Sequence, residues 1–202
     1  MKVERCKMRK NAREMFVVLE QELAERQLSS KEIFDGRILH VFEDTVSLPN
    51  GKSASREYLR HIGAVCIVPV LENGDVLVER QYRYPVAQVL TEIPAGKLDR
   101  RDEDHLLAAQ RELREETGAV AGRWQSLGVF YPACAYSDEA IEMFLAQDIT
   151  FTAREPDEDE FLNVMRVPLD ELYADVMAGR IPDAKTQIAV LKVYSILHHN
   201  TL

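Results

Sequence analysis

The chain has 202 residues, of which 46% are hydrophobic and 29% are charged, with 9 Gly and 8 Pro. This balance is typical of an ordinary globular protein and excludes collagen-like, coiled-coil and wholly disordered classes. Lys and Arg number 25 against 34 Asp and Glu, and the net charge of −9 excludes a general nucleic-acid binder that works through a basic surface.

Three further features of the sequence bear on location. No apolar run approaches the roughly 20 residues that span a bilayer, so we expect no contact with a membrane. Charged residues interrupt the start of the chain, where a signal peptide would need an apolar stretch. The chain has three cysteines, Cys6, Cys66 and Cys134. Their odd number argues against a disulfide framework, and they lack the spacing typical of a zinc site. We therefore expect a cytoplasmic protein.

The N-terminal part predicts a helix followed by a β region. Apolar side chains recur at helical spacing over residues 7–27, and residues 29–32 (Ser-Ser-Lys-Glu) have the capping chemistry of a new helix start. From Ile33 to about Val70 the sequence favours strands, with a turn at Pro49-Asn50-Gly51. Within that stretch, Ala64–Val70 is continuously apolar and predicts a buried strand.

The rest of the chain predicts strands on both sides of one central helix, with further helices at the end. Asp104–Thr117 has helical periodicity, and Gly118 stands where a C-terminal capping glycine belongs. Such an order predicts an α/β sandwich instead of a regularly alternating sheet. The other predicted elements are strands at Val76–Glu79, Ser126–Tyr131, Ile141–Ala146 and Leu162–Val167, and helices over residues 168–179 and 183–199.

Three glutamates of the central helix suggest a metal site. Glu112 and Glu116 lie one turn apart on one face of the helix, with Glu115 beside them. Like charges so placed repel by a few tenths of a kcal/mol for each pair, and a cation would compensate. Carboxylate oxygens suit Mg²⁺, which is commonly held by one or two carboxylates and substrate phosphates. The alternative is a solvated charged face with Arg111 and Arg114 as local partners.

The spacing around these glutamates resembles the Nudix box. Gly96 and Glu103 are followed by seven residues and then by Arg111-Glu112-Leu113, Glu115-Glu116 and Gly118. One departure is that six residues, where the box has five, separate Gly96 from Glu103. A loop absorbs an extra residue more easily than a helix does, so we take Glu103, not Asp102, as the box glutamate.

The resemblance extends over nearly all of the chain from Ile33 to His199 and is closest to the ADP-ribose pyrophosphatase branch of Nudix hydrolases. It implies a Nudix α/β/α sandwich with an N-terminal helix and an added N-terminal β region. Residues 1–55 would be the dimerisation region and residues 56–202 the Nudix domain. The segments that carry the resemblance include Leu48–Lys52, Arg56-Glu57, Gly63–Val65, Gln81–Arg83, Glu92–Leu98, Asp157–Glu160 and Asp183–Thr186.

For activity, the resemblance implies Mg²⁺-dependent hydrolysis of a nucleoside diphosphate sugar, with Mn²⁺ as an alternative metal. The expected substrate is ADP-ribose, which would yield AMP and ribose 5-phosphate. The resemblance also implies a homodimer with shared active sites. In the loop after the box, Tyr131–Glu139 lacks the Ser-Pro-Gly usual in these relatives, so we expect other nucleoside diphosphate sugars to be cleaved too, less efficiently. The other class of function is a non-catalytic Nudix-like sensor of a nucleotide metabolite.

Metal-binding roles transfer position by position from the resemblance. Glu112 and Glu116, with the backbone carbonyl of Ala95, would be metal ligands, and Glu115 a further ligand or a partner of one. Arg111 and Glu103 match the box pair that orients the helix.

Base and substrate-binding roles follow in the same way. Glu158 and Glu160, in an acidic run that could also be a solvated loop, match positions that supply the base and an extra metal contact. Substrate contacts would come from Arg83 and from Arg56 of the same or the other subunit, although both could be surface ion pairs. Phe34 and Arg37 are candidates for stacking on the base, although Phe34 could belong to the core.

Overall fold

The computed structural model describes residues 22–153 and 161–199. These residues fall into two compact units. The first contains the described chain up to His61 together with Ala135–Asp138, and the second contains Ile62–Cys134 and the chain from Glu139 onward. The predicted division between residues 55 and 56 falls inside a strand of the first unit and stays a prediction.

The first unit is a three-stranded antiparallel sheet in the order β1-β2-β3. The strands are β1 (Arg26–Asp35), β2 (His40–Ser47) and β3 (Ser53–Arg60). The predicted turn between β2 and β3 is confirmed, and Gly51 adopts a left-handed φ of 80° there, which glycine tolerates without strain. Ser137 forms a parallel bridge with Leu59, which attaches the short distant segment to β3.

The predicted helix start at Ser29–Glu32 is wrong. These residues lie in β1, where Ser30 pairs with Asp44 of β2. Pairing with β2 satisfies the backbone groups that a capping motif would otherwise satisfy, so the long-range contact overrides the local signal. Residues 22 and 23 are helical, residues 26–27 already belong to β1, and residues 7–21 of the predicted first helix lie outside the described residues.

The second unit contains two sheets, in the orders β7-β4-β9-β8 and β10-β5-β6. In the four-stranded sheet the central pair, β4 and β9, is parallel and the outer pairs are antiparallel. The elements of this unit are β4 (Ala64–Pro69), β5 (Asp75–Arg83), β6 (Gln88–Glu92), β7 (Ala95–Lys97), α1 (His105–Thr117), β8 (Ala119–Phe130), β9 (Ile141–Phe151), β10 (Leu162–Pro168), α2 (Leu169–Met177) and α3 (Ala184–His199).

Strand β4 shows why this unit is a sandwich. All of its residues are buried, as predicted from the continuous apolar run. Alternate side chains of a strand point to opposite faces, and here Ala64, Cys66 and Val68 share a core with α2 and α3. Val65 and Ile67 point the other way and share a second core with α1. Helices therefore cover both faces of the sheet, and the predicted α/β/α sandwich is confirmed.

Helix α1 begins and ends as its sequence predicts. The side chain of Asp104 accepts a hydrogen bond from the backbone N–H of Leu107 at 3.0 Å, which caps the first turn. Gly118 adopts φ 72° and its N–H donates to the carbonyl of Arg114 at 2.8 Å. The other predicted strands and helices are also present, with β8 starting at Ala119, before the predicted Ser126. Among the described residues, no helix has the length and apolar character needed to cross a membrane.

Candidate active site

The three glutamates of α1 do not form a solvated face. Glu112 and Glu116 are 9% and 4% exposed, on the same side of the helix as the core residues Ala109 and Leu113. Glu115 is half-buried beside them. Burying a carboxylate is unfavourable unless the charge is compensated, so α1 needs positive or hydrogen-bonding groups next to this face.

The backbone of β7 approaches these carboxylates closely. A Cβ atom at Gly96 would lie 1.9 Å from Cδ of Glu112 and 2.2 Å from each of its two oxygens. The backbone N–H of the neighbouring Ala95 donates to Oε2 of Glu116 at 3.1 Å. The first glycine of the box is therefore needed because only a residue without a side chain leaves room for Glu112. The two carboxylates lie against the backbone of residues 95–96.

Arg111 compensates part of this negative charge. Its Nη1 donates to Oε1 of Glu112 at 2.7 Å and to Oε2 of Glu115 at 3.3 Å. Burial opposes the charge of the guanidinium, but the attraction of Glu112 and of other nearby carboxylates outweighs it and raises the pKa of Arg111. Glu112 and Glu115 thus converge on one cation, which offsets their mutual repulsion.

The loop before α1 absorbs the extra residue, and Glu103 contacts Arg111. Nη2 of Arg111 lies 3.5 Å from Oε1 of Glu103. The other oxygen of Glu103 accepts a hydrogen bond from the backbone N–H of Asp99 at 2.6 Å. Asp102 instead pairs with Arg100 at 3.1 Å, and its side chain is 85% exposed. The geometry therefore agrees with the choice of Glu103 as the box glutamate.

Arg83 lies at the end of β5, with its guanidinium fixed by a buried carboxylate. Nε and Nη2 of Arg83 donate to the two oxygens of Glu92 at 2.8 Å each, a bidentate geometry that leaves Nη1 for another acceptor. The hydrogen bond to Glu92 raises the pKa of Arg83 despite its burial, and Asp183 and Glu116 add to the effect. Because Glu116 contributes, Arg83 lies within electrostatic range of the box.

Sequence reasoning missed the group that holds Arg83. Glu92 is 3% exposed and contacts Lys185 as well as Arg83. Burial raises the pKa of Glu92, but the hydrogen bond from Arg83 and the charge of Lys185 outweigh burial and lower it overall. Glu92 and Lys185 stand 93 residues apart in the chain, so no local spacing could have paired them.

The remaining predicted substrate residues belong to the first unit. Arg56 donates through Nε and Nη2 to the carboxylate of Glu25 at 2.9 and 2.5 Å, in an exposed ion pair. Phe34 lies on β1 and is 55% exposed, so the alternative that it belongs to the core does not hold. Arg37 is exposed in the turn between β1 and β2. Glu158 and Glu160 lie outside the described residues.

The donor set at the box fits a hard divalent cation. Glu112, Glu115 and Glu116 supply only oxygen atoms, and the missing Cβ of Gly96 leaves room for the carboxylate of Glu112 beside the backbone of β7. Elsewhere among the described residues, potential ligand atoms of Glu32, Asp35 and His40 lie within 4.8 Å of one another at the end of β1 and start of β2. Those groups are largely exposed, and Nδ1 of His40 lies 2.6 Å from Oδ1 of Asp35.

Comparison with known proteins identifies the family to which this chain belongs. Residues 60–188 match the family described as NUDIX domain, and residues 25–59 match the nucleoside diphosphate sugar hydrolase N-terminal domain. The chain belongs to the Nudix family and is a Nudix hydrolase. Enzymes of this family generally use a divalent metal, in agreement with the carboxylates of the box.

Two individual relatives and one solved structure show which members of the family this chain is similar to. An ADP-ribose pyrophosphatase of Bacillus subtilis is 37% identical over 83% of this chain and 91% of its own length. A methanol dehydrogenase activator of Bacillus methanolicus is 36% identical over 87% of this chain and 96% of its own length. A solved structure described as an ADP compounds hydrolase superposes with a TM-score of 0.78 at 25% identity, covering 88% of this chain and 97% of that one.

Proposed function

We propose that this chain hydrolyses the diphosphate bond of nucleoside diphosphate sugars in a Mg²⁺-dependent reaction, with ADP-ribose cleaved to AMP and ribose 5-phosphate. The similarity to an ADP-ribose pyrophosphatase and to the N-terminal domain of nucleoside diphosphate sugar hydrolases supports this substrate class. A sensor without activity would be expected to lose its metal-ligand positions, whereas the glutamates of this box are all present. Mn²⁺ is the alternative metal for the same reaction.

The single observation that carries the proposal is the packing of Gly96 against Glu112. A side chain at position 96 would overlap the carboxylate of Glu112, so the chain keeps this space for the acidic group. Glu112 and Glu116, with the carbonyl of Ala95, would hold the metal, and Glu115 would be a further ligand or a partner of Glu112 through Arg111. When bound, the metal neutralises the diphosphate and stabilises the charge that develops on the attacked phosphoryl group.

The reaction also needs a base and groups that bind the substrate. We assign proton removal from the attacking water to Glu158 or Glu160, so that the water oxygen bonds to phosphorus while the bridging P–O bond breaks. Arg83 would bind the diphosphate through Nη1, the nitrogen that Glu92 does not use. Arg56, supplied by the other subunit, would be a second phosphate contact.

The proposal includes a homodimer with shared active sites. In the first unit β1 is exposed along its whole length and lies at the edge of its sheet. Exposed strand edges pair readily with a second chain, and exposed apolar side chains on this unit, such as Phe34 and Ile38, add surface suited to burial. Phe34 and Arg37 would then stack on the adenine base of the substrate.

We also propose a cytoplasmic location. Cys66 and Cys134 are free thiols, with Cys66 buried and Cys134 exposed. Burial raises the pKa of Cys66 to about 12, which makes this thiol unreactive. Unpaired cysteines are typical of proteins in a reducing compartment.

A substrate panel tests the proposed function. The purified protein would be assayed with Mg²⁺ on ADP-ribose, ADP-glucose, GDP-mannose and a dinucleotide, with products separated by ion-exchange chromatography and kcat/KM measured for each. We expect ADP-ribose to be among the best substrates and the others to be cleaved more slowly. If ADP-ribose is among the poorest, the assignment of substrate is wrong, and if no compound is cleaved, the proposed hydrolysis is wrong.

A further inference from the structure

A charged network lies behind Arg83, between the end of β6 and the start of α3. Lys185 contacts Oε2 of Glu92, the oxygen that also accepts from Nη2 of Arg83. The same ammonium group lies 3.0 Å from Oδ1 of Asp183. The network therefore alternates in charge, from Asp183 through Lys185 and Glu92 to Arg83.

The network is closed to solvent at one end and open at the other. The side chains of Glu92, Lys185 and Asp183 are 4%, 11% and 16% exposed, whereas the side chain of Arg83 is 42% exposed. Two carboxylates and two cations give a net charge of zero. Removal of Lys185 would leave the two carboxylates of Asp183 and Glu92 with Arg83 as the one cation of this network and would change the net charge of the network from zero to −1. Asp183 already acts on the charge of Arg83.

The backbone fixes Lys185 in this place. Asp183 precedes α3, and its Oδ2 accepts hydrogen bonds from the N–H and the hydroxyl of Thr186 at 3.0 and 2.6 Å. Oγ1 of Thr186 in turn accepts from the backbone N–H of Ile93 at 2.9 Å, in a buried contact. Thr186 follows Lys185 and Ile93 follows Glu92, so this hydrogen bond joins the two chain segments that carry the charged side chains. It keeps Lys185 and Glu92 next to each other.

We propose that Lys185 is a positioning residue for the substrate diphosphate. It offsets the charge of Asp183 and shares Glu92 with Arg83, so that the guanidinium of Arg83 keeps both its orientation and its positive potential toward an anion. This inference rests on the proposed function, since it takes the anion at Arg83 to be the diphosphate of a nucleoside diphosphate sugar. Lys185 acts on binding through Arg83 and does not touch the reacting atoms.

The test compares Lys185→Met with matched variants of the full chain. Methionine is unbranched and flexible and fills a similar space without the charge. Lys185→Arg restores a cation, and Lys192→Met removes an exposed lysine of the same helix, which donates to the carbonyl of Leu127 and not to Glu92. Measurements are the Kd for α,β-methylene ADP-ribose by calorimetry, the KM and kcat for ADP-ribose, and the Tm of each variant.

We expect Lys185→Met to raise Kd and KM about tenfold or more while kcat changes much less, because loss of a charge within a buried network weakens binding of an anion. Lys185→Arg should recover most of the affinity, and Lys192→Met should bind as the wild type does. In an Arg83→Ala background, Lys185→Met should raise Kd no further, because the two residues act as a unit.

Two results would overturn this inference and leave the proposed function untouched. One is a Lys185→Met protein with a lower Tm and wild-type Kd and KM, which would make Lys185 merely structural. The other is an additional, independent loss of affinity in the Arg83→Ala background. If the wild type binds the analogue but cleaves no nucleoside diphosphate sugar, the proposed function is wrong and the Kd series still decides the role of Lys185. If the wild type does not bind the analogue, both proposals are wrong.

Discussion

Replacement of Gly96 by alanine tests the close approach between β7 and α1. The new Cβ would lie 1.9 Å from Cδ of Glu112. Carbon atoms in contact are normally at least about 3.5 Å apart, so the carboxyl group of Glu112 must retreat by roughly 1.6 Å. Catalytic groups tolerate displacements of only about 0.5 Å, and a misplacement of about 1 Å can lower the rate by 10²-fold. We therefore expect kcat/KM to fall by about 10²-fold or more, which corresponds to roughly 2.7 kcal/mol.

The same substitution should leave the fold intact. The atoms that a Cβ at position 96 would meet are the far end of a flexible side chain, and Gly96 does not adopt a left-handed φ. Alanine can therefore adopt the local backbone conformation, and the free energy of unfolding should change by only about 1 kcal/mol. This separation of activity from stability distinguishes a site constraint from a packing constraint.

The assay is kcat/KM for ADP-ribose at saturating Mg²⁺, with the free energy of unfolding measured by urea denaturation. The matched control is Gly122→Ala in β8, where a Cβ would lie 3.3 Å from Cβ of Asp148 and would not approach the box. Gly122→Ala should keep wild-type activity. If Gly96→Ala stays within about threefold of that control, the position of Glu112 against β7 does not matter for the reaction and the reasoning is refuted.

Three further predictions concern the box, the acidic run and the assembly. Glu112→Gln and Glu116→Gln should each lower kcat by several orders of magnitude, since neutral amides are poor substitutes for anionic ligands of a hard cation. Circular dichroism should show an unchanged fold for both variants. Unchanged Mg²⁺-dependent turnover would contradict the metal assignment. Glu158→Gln and Glu160→Gln should differ in severity, with the base losing about 10²- to 10⁴-fold in kcat, and equal, negligible effects would remove this segment from the chemistry. Light scattering at micromolar concentration should show a dimer, and a monomer there, or full activity after deletion of residues 1–55, would count against shared sites.

The sequence predicts the elements whose signals are local. The prediction of helix α1 is confirmed at both ends because Asp104 and Gly118 have capping roles that depend only on their immediate neighbours. The prediction of strand β4 is confirmed because a short, continuously apolar run is buried on both faces in this kind of sandwich. The helix start predicted at Ser29–Glu32 is wrong because serines suit a helix cap as well as a strand, and only the pairing of β1 with β2 decides between the two.

The candidate site was predictable only in part. The spacing of the box identifies Glu112 and Glu116, and the choice of Glu103 agrees with its contact to Arg111. The network behind Arg83 could not be found in this way, because it joins side chains from β5, β6 and the start of α3. Long-range ion pairs leave no periodic trace in a single sequence, and only the fold brings their members together.

The most direct test of the account is the product balance for ADP-ribose with and without metal. The purified wild-type protein would be incubated with ADP-ribose in Mg²⁺ or in excess EDTA, and AMP and ribose 5-phosphate would be quantified. The account predicts equal amounts of the two products with Mg²⁺ and none above background with EDTA. Absence of AMP in Mg²⁺, or the same rate in EDTA, would contradict the central claim that the glutamates of α1 support metal-dependent hydrolysis of a nucleoside diphosphate sugar.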